Sequence, residues 1–390
     1  MPPVANPLTK VRKRLAPCCF GPANFKNLPK DKDKVANANE HLNLYRKAVP
    51  IQREIVPKVD EALDLACERL GLAREMVHGF VVSDPSVNAF CHTSVRGNAV
   101  VGVHSGTVER LNLNELVYIF GHELGHFILP MRKLHVTMKN GSRRPASMED
   151  AIEHRKLEIS MDRFGLVACQ DLQVGCSAAI KIASGLSSAE ITSDVIAFTT
   201  EAVKGYVRDY TEYEDEAMYS HPAAYARIRA LYHFSQSEDY LDIVGQKGGR
   251  PHAEVDADVQ KDLEATLDYF AGKLMSDAID RFSHFFAALH VDQEGSKAEL
   301  ARHIVSRQPT LDPERVVGLV AQIRKIPAEH KEKATFGQFD DILNMALDRC
   351  PRAMNAHLEE LLPRLEGTKV AALTESFAKV FRKEYAVRGF

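Results

Sequence analysis

The stretch "GHELGHFILP", Gly121 to Pro130, carries two histidines four residues apart with a glutamate directly after the first. An α-helix turns once every 3.6 residues, so His122 and His126 project from one face and their imidazoles can grip a single ion. Neutral imidazole suits zinc, and three protein ligands plus one water make a catalytic rather than a purely structural site. Glu123 stands beside the first histidine, where its carboxylate can take a proton from the metal-activated water as that water attacks a carbonyl. The elements that must hold these groups are legible nearby. In "NLNELVYIFGHELGHFILP", Asn112 is placed to cap a helix, Glu115 to complete a capping box and Pro130 to end it. Leu116, Val117, Phe120, Leu124, Phe127 and Ile128 make that helix apolar, so an unliganded polar triplet on it would be costly to bury.

A third ligand is required, and a second helix expected to start at Ser147 offers Glu153, His154, Glu158 and Asp162. Glu158 is preferred because Asp162 lies one turn later on the same face, able to accept the second ring N–H of a ligating histidine. Taken alone, these acids also suit a solvated helix face.

Three ordered segments, "ELVYIFGHELGHFI", "LEISMDRFG" and "YSHPAAYARIRAL", together with "VNAF" at Val87 to Phe90, resemble the HtpX and CAAX-prenyl-protease type of zinc metalloendopeptidase. That gluzincin pattern runs H-E-x-x-H, then E-x-x-A-D, then a His-Pro segment closing on Arg-Ile. The likeness covers roughly Val59 to Leu231. It implies one catalytic Zn2+ held by His122, His126 and Glu158, with Glu123 as general base and Asp162 orienting His122. It also implies that His221 supports the substrate or the developing oxyanion. The implied fold is mainly α (α+β), a zincin-like peptidase domain with a small edge sheet on the H-E-x-x-H helix, followed by an all-α module. An extended peptide is expected to add along "GNAVVGVHS", making Asn88, Ala89, Phe90, Val100, Val101 and Gly102 the substrate-binding residues. Two departures stand out. Met161 occupies the alanine position of the pattern, and the transmembrane helices of well-known members have no counterpart here.

The wider composition agrees with a soluble enzyme. The 390 residues are 45% hydrophobic and 26% charged with a formal charge of -3, which gives no reason to expect nucleic acid. Apolar runs stop far short of the about 20 residues a membrane-spanning helix needs, and the basic N-terminus lacks the apolar core of an export signal. Seven unpaired-looking cysteines fit a reducing cytoplasm. Residues 1–36 read as a mobile arm, 37–244 as the peptidase domain with helix over Asn37 to about Leu72 broken or kinked at Pro50 and Pro57, and 255–390 as a helical module beyond the glycine-rich "GQKGGRPHAE" linker. Within the arm, Cys18 and Cys19 could place a thiolate on the zinc or carry acyl chains, and "SRRP" reads as a solvated loop. The partner is then a peptide or protein substrate. The rivals are a zinc-stabilised interaction protein without activity, and an aminopeptidase, for which no acidic anchor for a free amine can be assigned.

Overall fold

Pro57 has no N–H to donate, so it fits only the first turn of a helix, and the chain uses it that way. Helix α2 runs Pro57–Leu70 and stops at Gly71, whose φ of 74° is the left-handed conformation that glycine adopts freely. Of the stretch expected to be helical from Asn37, residues 37–43 and 45 lie outside the described residues, Leu44, Arg46 and Lys47 are helical, and the chain then leaves the helix until Pro57. Val49–Pro50 is instead the short strand β1, paired to Val81 and Phe80. The computed structural model describes residues 8–20, 44, 46–94, 97–129, 136–139, 142–187, 221–264, 343–344, 346–365 and 369–390.

Along these residues the chain forms α1 (Leu8–Arg14), β1, α2, β2 (Val77–Val82), β3 (Ala89–Thr93), β4 (Ala99–His104), α3 (Ser105–Arg110) and α4 (Leu113–Ile128). There follow β5 (Val136–Lys139), β6 (Ser142–Pro145), α5 (Met148–Cys169), α6 (Leu172–Ser184), α7 (Ala224–Ser235), α8 (Glu238–Ile243), α9 (His252–Glu264), α10 (Pro351–Leu365) and α11 (Lys369–Val387). The fold is thus mainly helical with one four-stranded mixed sheet, ordered β1-β2-β4-β3. β4 runs parallel to β2 and antiparallel to β3.

Two compact units divide the chain. The first comprises Met1–Leu134, Glu153–Glu212 and His221–Thr266. Its core joins Leu63, Ala66 and Leu70 of α2, Val101 and Val103 of β4, Leu116, Phe120 and Leu124 of α4, and Phe164 and Val167 of α5. β3 and β4 both pack on α4. In the second unit, His135–Ile152, Tyr213–Ser220 and Leu267–Phe390, Leu347, Met354, Leu358, Phe377 and Phe381 form a separate apolar cluster. Glu149 accepts the backbone N–H groups of Arg352 and Ala353 at the start of α10, where unpaired helix donors favour a carboxylate.

Three expectations change. Residues 8–20 are not a mobile arm: Leu8, Val11, Leu15 and Cys18 are buried in the main core, because α1 carries a periodic apolar face within its basic run. The glycine-rich segment is not a boundary between domains, since α9 beyond it packs on α7 and pairs Asp262 with Arg229 and Asp256 with Arg163. "SRRP" is strand β6 of a hairpin with β5 rather than a loop. Of the helical module, residues 265–342 lie outside the described residues.

Candidate metal centre

The first ligand helix is built as its punctuation predicts. Asn112 accepts the Glu115 N–H at 3.0 Å while Glu115 accepts the Asn112 N–H at 2.8 Å, closing the capping box. Glu115 is further held by Lys181 and Ser177 of α6, at 2.6 and 2.7 Å. The second ligand helix starts after Ser147, whose hydroxyl accepts the Asp150 N–H. α4 and α5 then cross in close contact. A Cβ added at Gly121 would lie 2.4 Å from Ala168 Cβ, and one at Gly125 would lie 2.9 Å from Met161 Sδ. The larger side chain at 161 is accommodated because residue 125 has none.

This crossing brings His122, His126 and Glu158 together, with one candidate ligand atom from each inside a 4.8 Å group. His122 Nε2 lies 3.4 Å from Glu158 Oε2 and His126 Nε2 lies 3.8 Å from Glu158 Oε1. Both separations are long for an N–H···O bond. They suit atoms around a shared ion, since tetrahedral bonds of about 2.0–2.2 Å leave ligand atoms about 3.4 Å apart. His126 Nδ1 is buried with no partner, and burial pushes this imidazole down to about 4, which keeps it a neutral base. A buried, unpaired, neutral imidazole facing a carboxylate and a second imidazole is the donor set a borderline-soft cation prefers. The other acids of α5 are elsewhere: Glu153 is paired with Lys156 on the helix surface.

Asp162 is fully buried behind His122, with Oδ1 3.0 Å from Nδ1. It also accepts Tyr118 Oη at 2.8 Å and both Nε and Nη2 of Arg227, at 2.8 and 2.5 Å. Burial alone would raise its pKa, but the Arg227 charge and its fork outweigh that and hold Asp162 down at about 2. An ionised Asp162 fixes the proton of His122 on Nδ1 and leaves Nε2 for the ion. Burial opposes charge on His122, but its own hydrogen bond to Asp162 and the facing Glu158 carboxylate together raise it to about 10 in the metal-free chain. Burial would likewise raise Glu158, and the His122 imidazole holds it below the usual carboxylate range.

Glu123 is buried, and that burial with the nearby Glu158 charge lifts it to about 7, against the lowering pull of His122 and Arg227. A carboxyl group at that value exchanges its proton near neutrality. The Glu123 charge also reaches Cys91 of β3, whose thiol is raised first by burial and then by that carboxylate. His221 has its Nε2 3.6 Å from Glu158 Oε2 and is 65% exposed, so it stands at the solvent side of the centre.

The expected substrate strand needs correction. Residues 99–103 of β4 are paired to β2 on one side and β3 on the other, so Val100, Val101 and Gly102 have no free edge for a peptide. The outer strand is β3. Of the six expected contacts, Ala89 and Phe90 lie on it and Asn88 precedes it. Asn88 is tied down by Thr107, whose hydroxyl accepts its N–H and donates to its carbonyl, both at 2.8 Å. The Phe90 ring lies over Gly102, on the face opposite Cys91. Cys18 and Cys19 are buried in the core with raised thiol pKa values, Cys19 at about 12 through burial. Neither a thiolate ligand nor an acylation site survives that placement.

Sequence reasoning missed Tyr118 and Arg227. Tyr118 stands one turn before His122 on the same face, which is a readable signal. Arg227 sits in the "YARI" run, but nothing in its spacing points to a residue 65 positions earlier.

Residues 56–139 match the model of peptidase family M48, which bears out the resemblance drawn from the motifs. The stretch includes His122, Glu123 and His126, while Glu158 and His221 fall beyond it. A protease HtpX homolog of Levilactobacillus brevis is 45% identical over 47 residues, 12% of this chain and 16% of that protein. Protease HtpX homologs of Streptococcus pyogenes, from serotypes M5 and M49, are 43% identical over 47 residues with the same shares. The aligned segment thus spans about one sixth of the curated relatives. No solved structure matches the chain significantly.

Proposed function

We propose, from the M48 peptidase segment at residues 56–139 and the side chains that converge behind it, that this protein is a zinc-dependent endopeptidase. One observation carries the reading most directly: two imidazoles and a carboxylate from separate helices face one another at 3.4 and 3.8 Å, with a buried glutamate adjoining them. In this reading His122, His126 and Glu158 hold one Zn2+, and Asp162 keeps His122 in the ligating tautomer. Bound zinc supplies Lewis acidity, lowering the pKa of water and polarising a carbonyl.

The remaining work belongs to the chain itself. Glu123 accepts the proton released as water attacks the scissile carbonyl and delivers it to the departing amine, which its elevated proton affinity favours. His221, solvent-exposed beside Glu158, donates toward the oxygen that gains charge. The outer strand β3 binds an extended peptide by backbone pairing, which selects for unfolded segments more than for side chains. No helix among the described residues is long and apolar enough to cross a membrane, so the reading assigns no membrane-embedded substrate.

Glu123→Gln tests the mechanism. The variant keeps the side-chain size and all three ligands, so zinc content and melting temperature should match the parent. Cleavage of an unstructured protein such as casein should fall at least about a hundredfold. A parent that turns over casein with a zinc-loaded variant matching its rate would exclude Glu123 as the base.

A further inference from the structure

Residues 8–20 precede the M48-matched segment, yet they touch both helices that carry the candidate ligands. The segment sets Leu8, Val11 and Leu15 into the main core, Arg14 donates to Arg69 O of α2, and one further directed contact reaches each of the two helices. Arg12 Nε donates to Ile128 O at 2.7 Å. Ile128 is the last residue of α4, two positions beyond His126, and its carbonyl is among those with no partner inside the helix. A cation there also complements the negative end of the helix.

At the far end, the Phe20 N–H donates to Ser160 Oγ at 2.9 Å, midway between Glu158 and Asp162 on α5. The Arg163 guanidinium carbon lies over the Phe20 ring, 5.3 Å from the ring centroid, and over the Phe234 ring at 4.9 Å. Arg163 directly follows Asp162 and is fully buried. Its Nη2 pairs with Asp256 at 2.6 Å, while Nε and Nη1 have no acceptor. The two rings therefore supply the favourable surroundings those donors lack.

These contacts matter because the donor set is split between two helices. The glycine contacts at Gly121 and Gly125 fix where α4 and α5 cross, but a crossing point alone leaves the helices free to pivot. Ile128 is seven residues past Gly121, about 10 Å along the axis. A tie from there to α5, through the Phe20 N–H on Ser160 and above all through the Phe20 ring on Arg163, removes the pivot.

We propose that residues 8–20 form a clamp that sets the spacing of the two ligand helices, with Arg12 and Phe20 as positioning residues for the metal centre. The proposal rests on His122, His126 and Glu158 being that centre.

Full-length Arg12→Met and Phe20→Ala, with Phe20→Tyr as the ring-retaining variant and Leu15→Ala as a control, decide it. Leu15 is buried in the same segment but makes none of the directed contacts. Zinc affinity is measured by competition with a chromophoric chelator, and coordination geometry by the visible absorption of the Co2+-loaded protein. Arg12→Met and Phe20→Ala should each weaken zinc by about tenfold and change the cobalt spectrum, as loss of an outer support does. Phe20→Tyr should match the parent, and Leu15→Ala should melt lower yet bind zinc as the parent does. Parental affinity and spectrum in both Arg12→Met and Phe20→Ala would overturn the clamp, as would equal weakening in Leu15→Ala. Should Phe20→Ala fail to fold, Phe20→Leu keeps most of the volume without the ring and bears the same test. A parent that binds no zinc would instead overturn the site itself.

Discussion

Arg227 grips Asp162 through both carboxylate oxygens, Nε to Oδ2 at 2.8 Å and Nη2 to Oδ1 at 2.5 Å, from a helix that begins 62 residues further along the chain. The pair is buried, and the same Oδ1 faces His122 Nδ1. Arg227 therefore acts on the candidate ligand through Asp162.

Truncating one partner of such a buried pair leaves an uncompensated charge. Arg227→Met should destabilise the fold by about 3–5 kcal/mol in denaturant titration and weaken zinc about 10 to 100-fold. Arg227→Lys keeps the charge without the planar fork and should recover stability better than zinc affinity. Equal zinc affinity in all three proteins would show that Asp162 is held well enough by Tyr118.

Glu158→Gln replaces the anionic candidate ligand with a weak neutral one. Its zinc content after dialysis should fall well below that of Glu153→Gln, since Glu153 lies with Lys156 away from the centre. Full retention in Glu158→Gln, with loss in Glu153→Gln, would move the third ligand by more than a turn of α5.

Gly121→Ala sets two opposing effects against each other. The helix gains about 1 kcal/mol in propensity, but the new methyl meets Ala168 Cβ at 2.4 Å and backbone atoms of α5 at 3.0 Å. Backbone cannot yield cheaply, so overpacking of about 1–3 kcal/mol should win and lower the melting temperature. Adding Ala168→Gly should restore some of the loss. A variant as stable as the parent would mean that the two helices can separate at little cost.

A pH effect is expected away from the metal centre. His252 has Nε2 3.1 Å from Asp256 and Nδ1 2.7 Å from Asp239. The Asp256 hydrogen bond raises its pKa, with burial opposing. A group raised on folding stabilises fully below its unfolded value of about 6.5, and that contribution is lost as pH rises through the higher folded value. The melting-temperature gap between parent and His252→Gln should thus be larger at pH 6 than at pH 9. A gap that widens toward alkaline pH would reverse the assignment.

Removing residues 1–20 tests the burial of the N-terminal segment. Because Leu8, Val11, Leu15 and Cys18 are in the core, truncation should lower the melting temperature sharply or prevent folding. Unchanged stability would restore the mobile arm.

The ligand helix was readable without coordinates because every determinant is local. Asn112, Glu115 and the four-residue spacing of His122 and His126 act within a few turns, and helical periodicity converts spacing into direction. Glu158 and Asp162 were legible as a pair for the same reason, though their helix offered Glu153 and His154 on equal chemical terms. What set Glu158 facing the two histidines was the crossing of α4 and α5, governed by where Gly121, Gly125 and Gly165 let the backbones approach. The central place of β4 was not legible because β-branched "AVVGV" reads as a strand whether it is central or outer, and only pairing with β2 and β3 decides which. Tyr118 aside, the supports of the centre are long-range: Arg227 reaches Asp162, Arg12 reaches Ile128 and Phe20 reaches Ser160. Sequence determined which candidate ligands this protein carries and how they are spaced, since residue types and helical spacing are properties of a short segment. Tertiary structure decided what orients and braces it, since desolvated charge pairs and sheet order depend on partners that no local pattern names.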